Sequence, residues 1–202
     1  MPSTILTRAQ QEVLELLGPI STALQFYLAG GTALALHLGH RKSADFDFFT
    51  ENTFDPTLLA AKLPSERILQ QTRGTLEIFV RDVKASFFEY HYPLLEPLVP
   101  HEHILLASIP DIAAMKLSAI SSRGSRKDFV DLYVINQERF SLPECLTFHE
   151  KKFAMPKTDR YHLLRSLMYF SEADNEETPE TTEPLRWDDV KRFFVQEVTK
   201  HQ

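Results

Sequence analysis

Two aspartates one residue apart, Asp45 and Asp47, alternate with Phe46 and Phe48 in the run Ala44-Asp45-Phe46-Asp47-Phe48-Phe49. On a β-strand, residues i and i+2 share a face. The spacing therefore predicts both carboxylates on one face and both phenyl rings on the other, in the core. An unpaired carboxylate is costly to bury, so the aspartate face is the open one. Two carboxylates held side by side repel each other, and a hard divalent cation with a preference for oxygen ligands, Mg²⁺, relieves that repulsion. Upstream, Gly30-Gly31 follow the short apolar run Phe26-Tyr27-Leu28-Ala29 and precede a run of helix formers. Glycine permits positive φ and close backbone approach, and the N–H groups of a helix start make a phosphate site. The hydroxyl of Thr32 adds a donor. A phosphate cradle next to a metal-holding pair suits transfer of a nucleotidyl or phosphoryl group by metal clamping and electrostatic stabilisation.

These residues need a scaffold. The sequence predicts a strand over 26–29, a helix from Thr32 to Leu38 ended by Gly39 as its C′ residue, and a second strand over 45–50. An amphipathic helix over about 7–18, stopped by Gly18-Pro19, precedes them. A helix over 55–63 is followed by a meander of strands, Arg67–Gln71, Leu76–Val80 and Lys84–Tyr90, with Arg81-Asp82 as the last turn. His103–Ser108 is a further strand. Pro110-Asp111 opens a helix that runs from Ile112 to Ser122 and stops near Gly124, and another follows from Arg126 to Glu138. Beyond Phe140 the periodicity weakens, with helices over Tyr161–Phe170 and Trp187–Thr199. The fold class read from this order is α/β (α+β), a mixed, largely antiparallel sheet flanked by helices with a small helical C-terminal region. The domain division is 1–140 and 141–202.

Bulk properties narrow the function. The chain has 202 residues, 43% of them hydrophobic, enough for a real core. Its single cysteine, Cys145, excludes an internal disulfide framework and suits a reducing, cytoplasmic setting. The N-terminal run alternates acids and amides with leucines, unlike a signal peptide, and no apolar run is long enough to span a bilayer. Of the 28 acidic residues, six lie in residues 171–184 with no base among them, which leaves 22 against 22 basic residues elsewhere. That acidic stretch reads as an exposed or mobile loop. A broad basic face for non-specific nucleic-acid binding is not supported, though a local basic site is allowed.

Gly30-Gly31, thirteen residues, then Asp45-Phe46-Asp47-Phe48 is similar to the signature of the DNA polymerase β-like nucleotidyltransferase superfamily. The run GGTALALHLGHRKSADFDFF, taken with DIAAMKLSAISSRGSRKDFVDLYVI at 111–135, resembles the AbiEii/AbiGii toxin-like nucleotidyltransferases. The resemblance covers roughly residues 25–135 and implies the nucleotidyltransferase fold. It implies that Gly30 and Gly31 cradle a triphosphate with Thr32 nearby, and that Asp45 and Asp47 hold Mg²⁺ (or Mn²⁺). Lys116 would contact phosphate or nucleotide, and Asp131, with Lys127 and Asp128, would line or brace the cleft. The implied reaction moves NMP from an NTP donor to an RNA (tRNA) or protein acceptor. The chain would be the toxin component of a toxin–antitoxin or phage-defence system, with a cognate antitoxin as partner. The alternative is a catalytically weak nucleotide-binding or partner-binding module with the same fold.

One departure favours that alternative. Such enzymes usually place a third carboxylate on a later strand, and the position to align is Ser86. Glu89 has the opposite parity on that strand, and Glu77 on the preceding strand is another substitute. Plainer readings exist for several residues. Lys127 and Asp131, four apart, pair on a helix surface, and Asp128 shares a face with Asp131. Lys116 can be a surface lysine on an amphipathic helix, and His40-Arg41-Lys42 a solvated basic turn. His101 and His103 have no further Cys/His cluster to complete a zinc set. Ser118, Ser121 and Ser122 lack the glycine context of a nucleophile elbow. Trp187 and Phe193-Phe194 read as core or docking residues of the last helix.

Overall fold

The computed structural model describes residues 5–154 and 157–200. The chain divides into two compact units, one made of Met1–Leu38 and Lys42–Ser108, the other of Gly39–Arg41 and Ile109–Gln202. The boundary read from sequence at 140/141 falls inside the second unit.

The first unit is built on a seven-stranded mixed sheet. Its strands are β1 (Tyr27–Ala29), β2 (Phe46–Thr50), β3 (Arg67–Thr72), β4 (Thr75–Val80), β5 (Val83–Glu89), β6 (Val99–His101) and β7 (Ile104–Leu106), in the order β3-β4-β5-β2-β1-β7-β6. The β2–β5 and β1–β7 pairs are parallel and the rest antiparallel. The β4–β5 hairpin turns at Arg81 and Asp82, both with positive φ (47° and 62°), as a two-residue turn matched to strand twist requires. Phe46, Phe48 and Phe87 are fully buried. Phe48 stacks on Phe87 at 5.0 Å, and Phe26 meets Phe87 edge-on at 5.2 Å. Each such ring contributes about 1.5–3 kcal/mol on burial, which fixes the register of β2 and hence the side on which its aspartates lie.

Three further helices, α1 (Arg8–Ala23), α2 (Gly30–Leu38) and α3 (Pro56–Ala60), belong to this unit. The α1 helix does not stop at Gly18-Pro19; it carries Pro19 within it. The amide that proline lacks would have bonded the carbonyl of Glu15. Both residues are exposed, so water can take that carbonyl. Gly18 faces β7 instead: a Cβ there would meet Ile104 Cγ2 at 2.8 Å and the His103 carbonyl at 3.0 Å. Close approach, rather than helix termination, explains this glycine.

The second unit is helical: α4 (Ile109–Ser122), α5 (Arg126–Glu138), α6 (Leu142–Phe153), α7 (Lys157–Ser166) and α8 (Trp187–Lys200), with one 3-10 turn at Ala173–Asn175. The α6 helix is absent from the sequence reading. Its buried stripe is Leu142, Cys145, Leu146, His149 and Lys152, so two of five stripe positions are polar and the hydrophobic period is masked. Lys152 is tolerated there because its Nζ reaches Asp111 Oδ1 at 2.7 Å, both side chains being wholly buried. The acidic stretch 171–184 is exposed, but it is tied down. Arg126 donates to the carbonyls of Ala173 (2.7 Å) and Asp174 (3.0 Å) and to Thr178 Oγ1 (2.9 Å). The Trp187 indole N–H donates to Asp174 Oδ1 at 2.7 Å. Trp187 and Phe194 pack against Phe129 at 5.8 and 5.6 Å.

Candidate active site

In the first unit, β1 delivers the chain directly into α2 at Gly30. Ala29 pairs with Asp47 across the β1–β2 ladder. Gly30 has φ +68°, and a Cβ there would lie 2.9 Å from Asp47 Oδ2. This position needs glycine both for its left-handed backbone and because the backbone runs against the carboxylate. The N-terminal amides of α2 therefore begin beside Asp47, at a helix terminus that favours anions.

Asp47 lies on β2 and is half-buried; Asp45 immediately precedes the strand and is exposed. Residues 43–45 are held by hydrogen bonds to their backbone. Gln10 Nε2 donates to the carbonyls of Ser43 (2.5 Å) and Ala44 (2.9 Å). The Thr32 hydroxyl donates to the Asp45 carbonyl and shares a 2.8 Å hydrogen bond with the Ser43 hydroxyl. Thr32 is buried, so its hydroxyl is directed at the loop that presents Asp45. Gln10 is a residue that sequence reasoning missed. The signal was there: an amide on the same buried α1 stripe as Val13, Leu14 and Leu17 calls for a buried polar partner.

Ser86 on β5 stands directly beside Asp47 in the parallel β2–β5 register, and Glu77 on β4 stands on its other side. Ser86 is buried, and its hydroxyl lies 3.5 Å from Glu77 Oε1, which also accepts from Lys84 Nζ at 3.0 Å. Glu89 has the opposite parity and accepts from the Phe54 amide at 2.9 Å. Asp47, Ser86 and Glu77 thus lie in one row across β2, β5 and β4. Among the described residues, no set of three His, Cys, Asp or Glu side chains is arranged to hold a metal ion. The carboxylate oxygens of Asp45 and Asp47 are the hard donors suited to Mg²⁺, an ion that keeps several waters and accepts one or two protein carboxylates.

The second unit gathers the other candidate residues into a buried ionic network. Lys116 on α4 places Nζ 2.8 Å from Asp128 Oδ1 and 2.5 Å from Asp131 Oδ2. Asp131 also accepts from Arg41 Nε (2.6 Å) and NH2 (2.8 Å) and lies 2.8 Å from His40 Nε2. Asp128 accepts from Arg123 Nε at 3.0 Å and Ser125 Oγ at 3.1 Å. Burial alone would raise both carboxyl pKa values. The Lys116 charge, followed for Asp131 by Arg41 and for Asp128 by Arg123, outweighs burial and holds both below the ordinary carboxylate range. Burial likewise opposes the charge on Lys116, but Asp131 and Asp128 overcome it and raise its pKa.

Three plainer expectations are corrected here. Lys116 is 5% exposed, a core lysine between two acids. Lys127 is exposed, and Asp131 takes Lys116, Arg41 and His40 as partners in its place. His40 and Arg41 are buried side chains bound to Asp131, with only Lys42 of that triplet exposed. Nothing local in sequence pairs Arg41 with a residue ninety positions away. His101 closes β6 while His103 lies in the following turn.

A family model described as "Nucleotidyl transferase AbiEii toxin, Type IV TA system" matches residues 16–92 and 55–201. The protein aq_aa25 of Aquifex aeolicus (strain VF5) is 40% identical over 204 residues, covering 97% of each chain. Among solved structures, the fold is similar to MenT4, a nucleotidyltransferase toxin from Mycobacterium tuberculosis H37Rv, with a TM-score of 0.59 and 16% identity over 98% of this chain and 86% of that one. It is also similar to JHP933 from Helicobacter pylori, with a TM-score of 0.58 and 17% identity over 94% and 89%. Likenesses at these identities establish the fold. No helix among the described residues is long and apolar enough to cross a membrane.

Proposed function

Because the chain belongs to the AbiEii nucleotidyl transferase toxin family, we propose that it moves NMP from an NTP to an RNA (tRNA) or protein hydroxyl with Mg²⁺ (or Mn²⁺), as the toxin partner of a cognate antitoxin in the cytoplasm. The observation that carries this reading is the contact at Gly30, where the first turn of α2 begins against the carboxylate of Asp47. Phosphate-binding amides and metal-binding oxygens then meet at one point. The acceptor oxygen bonds to the α-phosphorus, the bond from that phosphorus to the β-bridging oxygen breaks, and pyrophosphate leaves. Bound Mg²⁺ would be held by Asp45 and Asp47 and would neutralise charge on the phosphate oxygens. Gly30 and Gly31 supply backbone amides to the triphosphate. Thr32 and Gln10 position the segment that carries Asp45. Lys116, Asp128 and Asp131 act as bracing residues of the second unit, and Lys127 on α5 is an exposed cation available to a phosphate.

Ser86 beside Asp47, with Glu77 held by Lys84, supports a second reading: a nucleotide-binding module with weak catalysis. One experiment separates the two. The protein is incubated with each labelled NTP, Mg²⁺ or Mn²⁺, and a pool of tRNA and cell protein. Label transfer that disappears in Asp47→Ala supports the enzyme. Nucleotide binding with no transfer from any of the NTPs, with either metal, refutes it and leaves the module.

A further inference from the structure

We propose that β3 is a docking edge for a second copy of this chain, which adds its own β3 antiparallel and joins the two sheets about a two-fold axis at Gln70. The inference goes beyond the reading above and does not depend on nucleotidyl transfer.

β3 ends the sheet, and no strand among the described residues lies on its outer side. All six of its residues are exposed, Ile68 by 46% and Leu69 by 44%. On one face, Gln71 Nε2 donates to Thr57 Oγ1 of α3 at 2.7 Å, and the next residue of that helix, Leu58, is 65% exposed. Large apolar side chains therefore stand in water on and beside this edge.

The backbone of the edge has a definite pattern. Antiparallel strands alternate between residues that bond each other and residues whose N–H and C=O point outward. Arg73-Gly74 is a two-residue turn, so Thr72 and Thr75 are a bonded pair. Counting along β4, Glu77 and Phe79 are bonded positions, while Leu76 and Ile78 are not. The Glu66 amide donates to the Phe79 carbonyl at 2.9 Å, in agreement with that count. The partners of Leu76 and Ile78 are Gln71 and Ile68, and these turn their backbone groups to the open side. Between them the register shifts at Leu69, a β-bulge. Leu69 and Gln70 thus separate the two outward residues, where a regular strand has one residue.

A bulge ordinarily blunts an edge, because a regular strand is out of step with it. A second β3 is in step, because its own Leu69 and Gln70 span the same interval. With Gln70 at the axis, Ile68 of each copy exchanges backbone bonds with Gln71 of the other. Arg67 then stands opposite Thr72, and Glu66 opposite Arg73, so a pair of opposite charges closes each end. Parallel pairing in the same register would set Glu66 against Glu66 and Arg73 against Arg73.

The test is sedimentation and hydrogen exchange of the full chain up to about 1 mM, a concentration at which even a weak contact forms. Wild type is expected to dimerise, and exchange at the Ile68 and Gln71 amides should slow as concentration rises. Gln71→Pro deletes an outward amide, a change that an edge strand tolerates, and should leave a folded monomer. Glu66→Arg and Arg73→Glu should each raise the dissociation constant roughly tenfold, two exposed ion pairs being turned repulsive. An equimolar mixture of those two variants restores opposite charges at both ends and should dimerise as wild type does. Should Gln71→Pro fail to fold, the charge variants decide alone. A wild type that stays monomeric, or a dimer indifferent to the charge changes, overturns the proposal. So does a foreign peptide strand that protects these amides while the chain itself remains a monomer. Asp47→Ala should dimerise as wild type does, so a failure of nucleotidyl transfer and a failure of this edge give different results.

Discussion

Replacing Asp131 with Asn removes one charge from the centre of the second unit and nothing else of consequence to its shape. The native carboxylate is fully buried and receives Lys116, both nitrogens of an Arg41 fork, and His40, all within 2.8 Å. An amide can accept at only one of the two oxygen positions, and its NH₂ would face a cation at the other. At about 1.5–3 kcal/mol for each hydrogen bond to a charged group, losing two gives roughly 3–6 kcal/mol. Breaking a buried ion pair from one side typically costs about 3–5 kcal/mol, in agreement. For a chain of this size that is a fall in Tm of about 2–4 °C per kcal/mol, or about 6–20 °C. The protein supplies its own probe: Trp187, its one tryptophan, packs on Phe129 and Phe170 in the same unit. Urea unfolding followed by Trp187 fluorescence should show a lower midpoint at unchanged slope. The exposed Lys127→Ala should stay within about 0.5 kcal/mol of wild type. Folded-state carboxyl pKa values below the ordinary range mean that the stabilisation is complete above about pH 4 and is lost as pH falls through the folded values. Wild type should therefore lose stability in acid more steeply than Asp131→Asn. An Asp131→Asn midpoint within 1 kcal/mol of wild type, or parallel acid profiles, would refute the assignment of Asp131 as a bracing charge.

Three further outcomes are expected. Ser86→Asp would set a carboxylate directly beside Asp47 and Glu77, so it should lower Tm in a chelator and regain it in millimolar Mg²⁺ by ligand linkage; a Tm indifferent to Mg²⁺ in this variant would argue against metal binding on that face. Gln10→Glu keeps a capping-box residue at the third position of α1 but turns an acceptor toward the Ser43 and Ala44 carbonyls. It should cost about 1–3 kcal/mol and raise the Mg²⁺ concentration needed for half-maximal transfer, and an unchanged Mg²⁺ requirement would sever Gln10 from the site. Burial pushes the Cys145 thiol up to about 12, so at pH 8 it should react with a thiol reagent only as fast as the protein unfolds; prompt labelling of native protein would contradict that burial.

The parts of the fold legible in the sequence are those whose signals are local. Alternation placed Phe46 and Phe48 inward, and two-residue turn chemistry placed Arg81-Asp82 between β4 and β5. The α5 limits, Arg126 and Glu138, follow from apolar spacing and agree with the structure. What escaped depended on distant partners. The Lys152–Asp111 pair hides the period of α6, solvent exposure of Glu15 lets Pro19 pass within α1, and Arg126 fastens an acidic segment that composition alone reads as loose. The residues of the candidate site were legible as types and spacings, but whether each was held or left open was not.

That last distinction separates the carboxylates physically. Asp128 and Asp131 are fastened by their side chains: their oxygens are filled by lysine, arginine, histidine and serine donors, and through Lys116 they join α5 to α4. Asp45 is fastened by its backbone, through the Thr32 hydroxyl at its own carbonyl and Gln10 at the two carbonyls before it, while its side chain is exposed. A carboxylate gripped by its oxygens cannot take a ligand without breaking what holds it, at a cost of several kcal/mol. A carboxylate aimed by its backbone can take one at no such cost. Asp45, aimed by its backbone with its side chain exposed, is therefore open to a ligand in a way that Asp128 and Asp131 are not. The same logic makes Ser86 the informative position, because a group placed there would join the face that is aimed, where Lys84 already competes for Glu77.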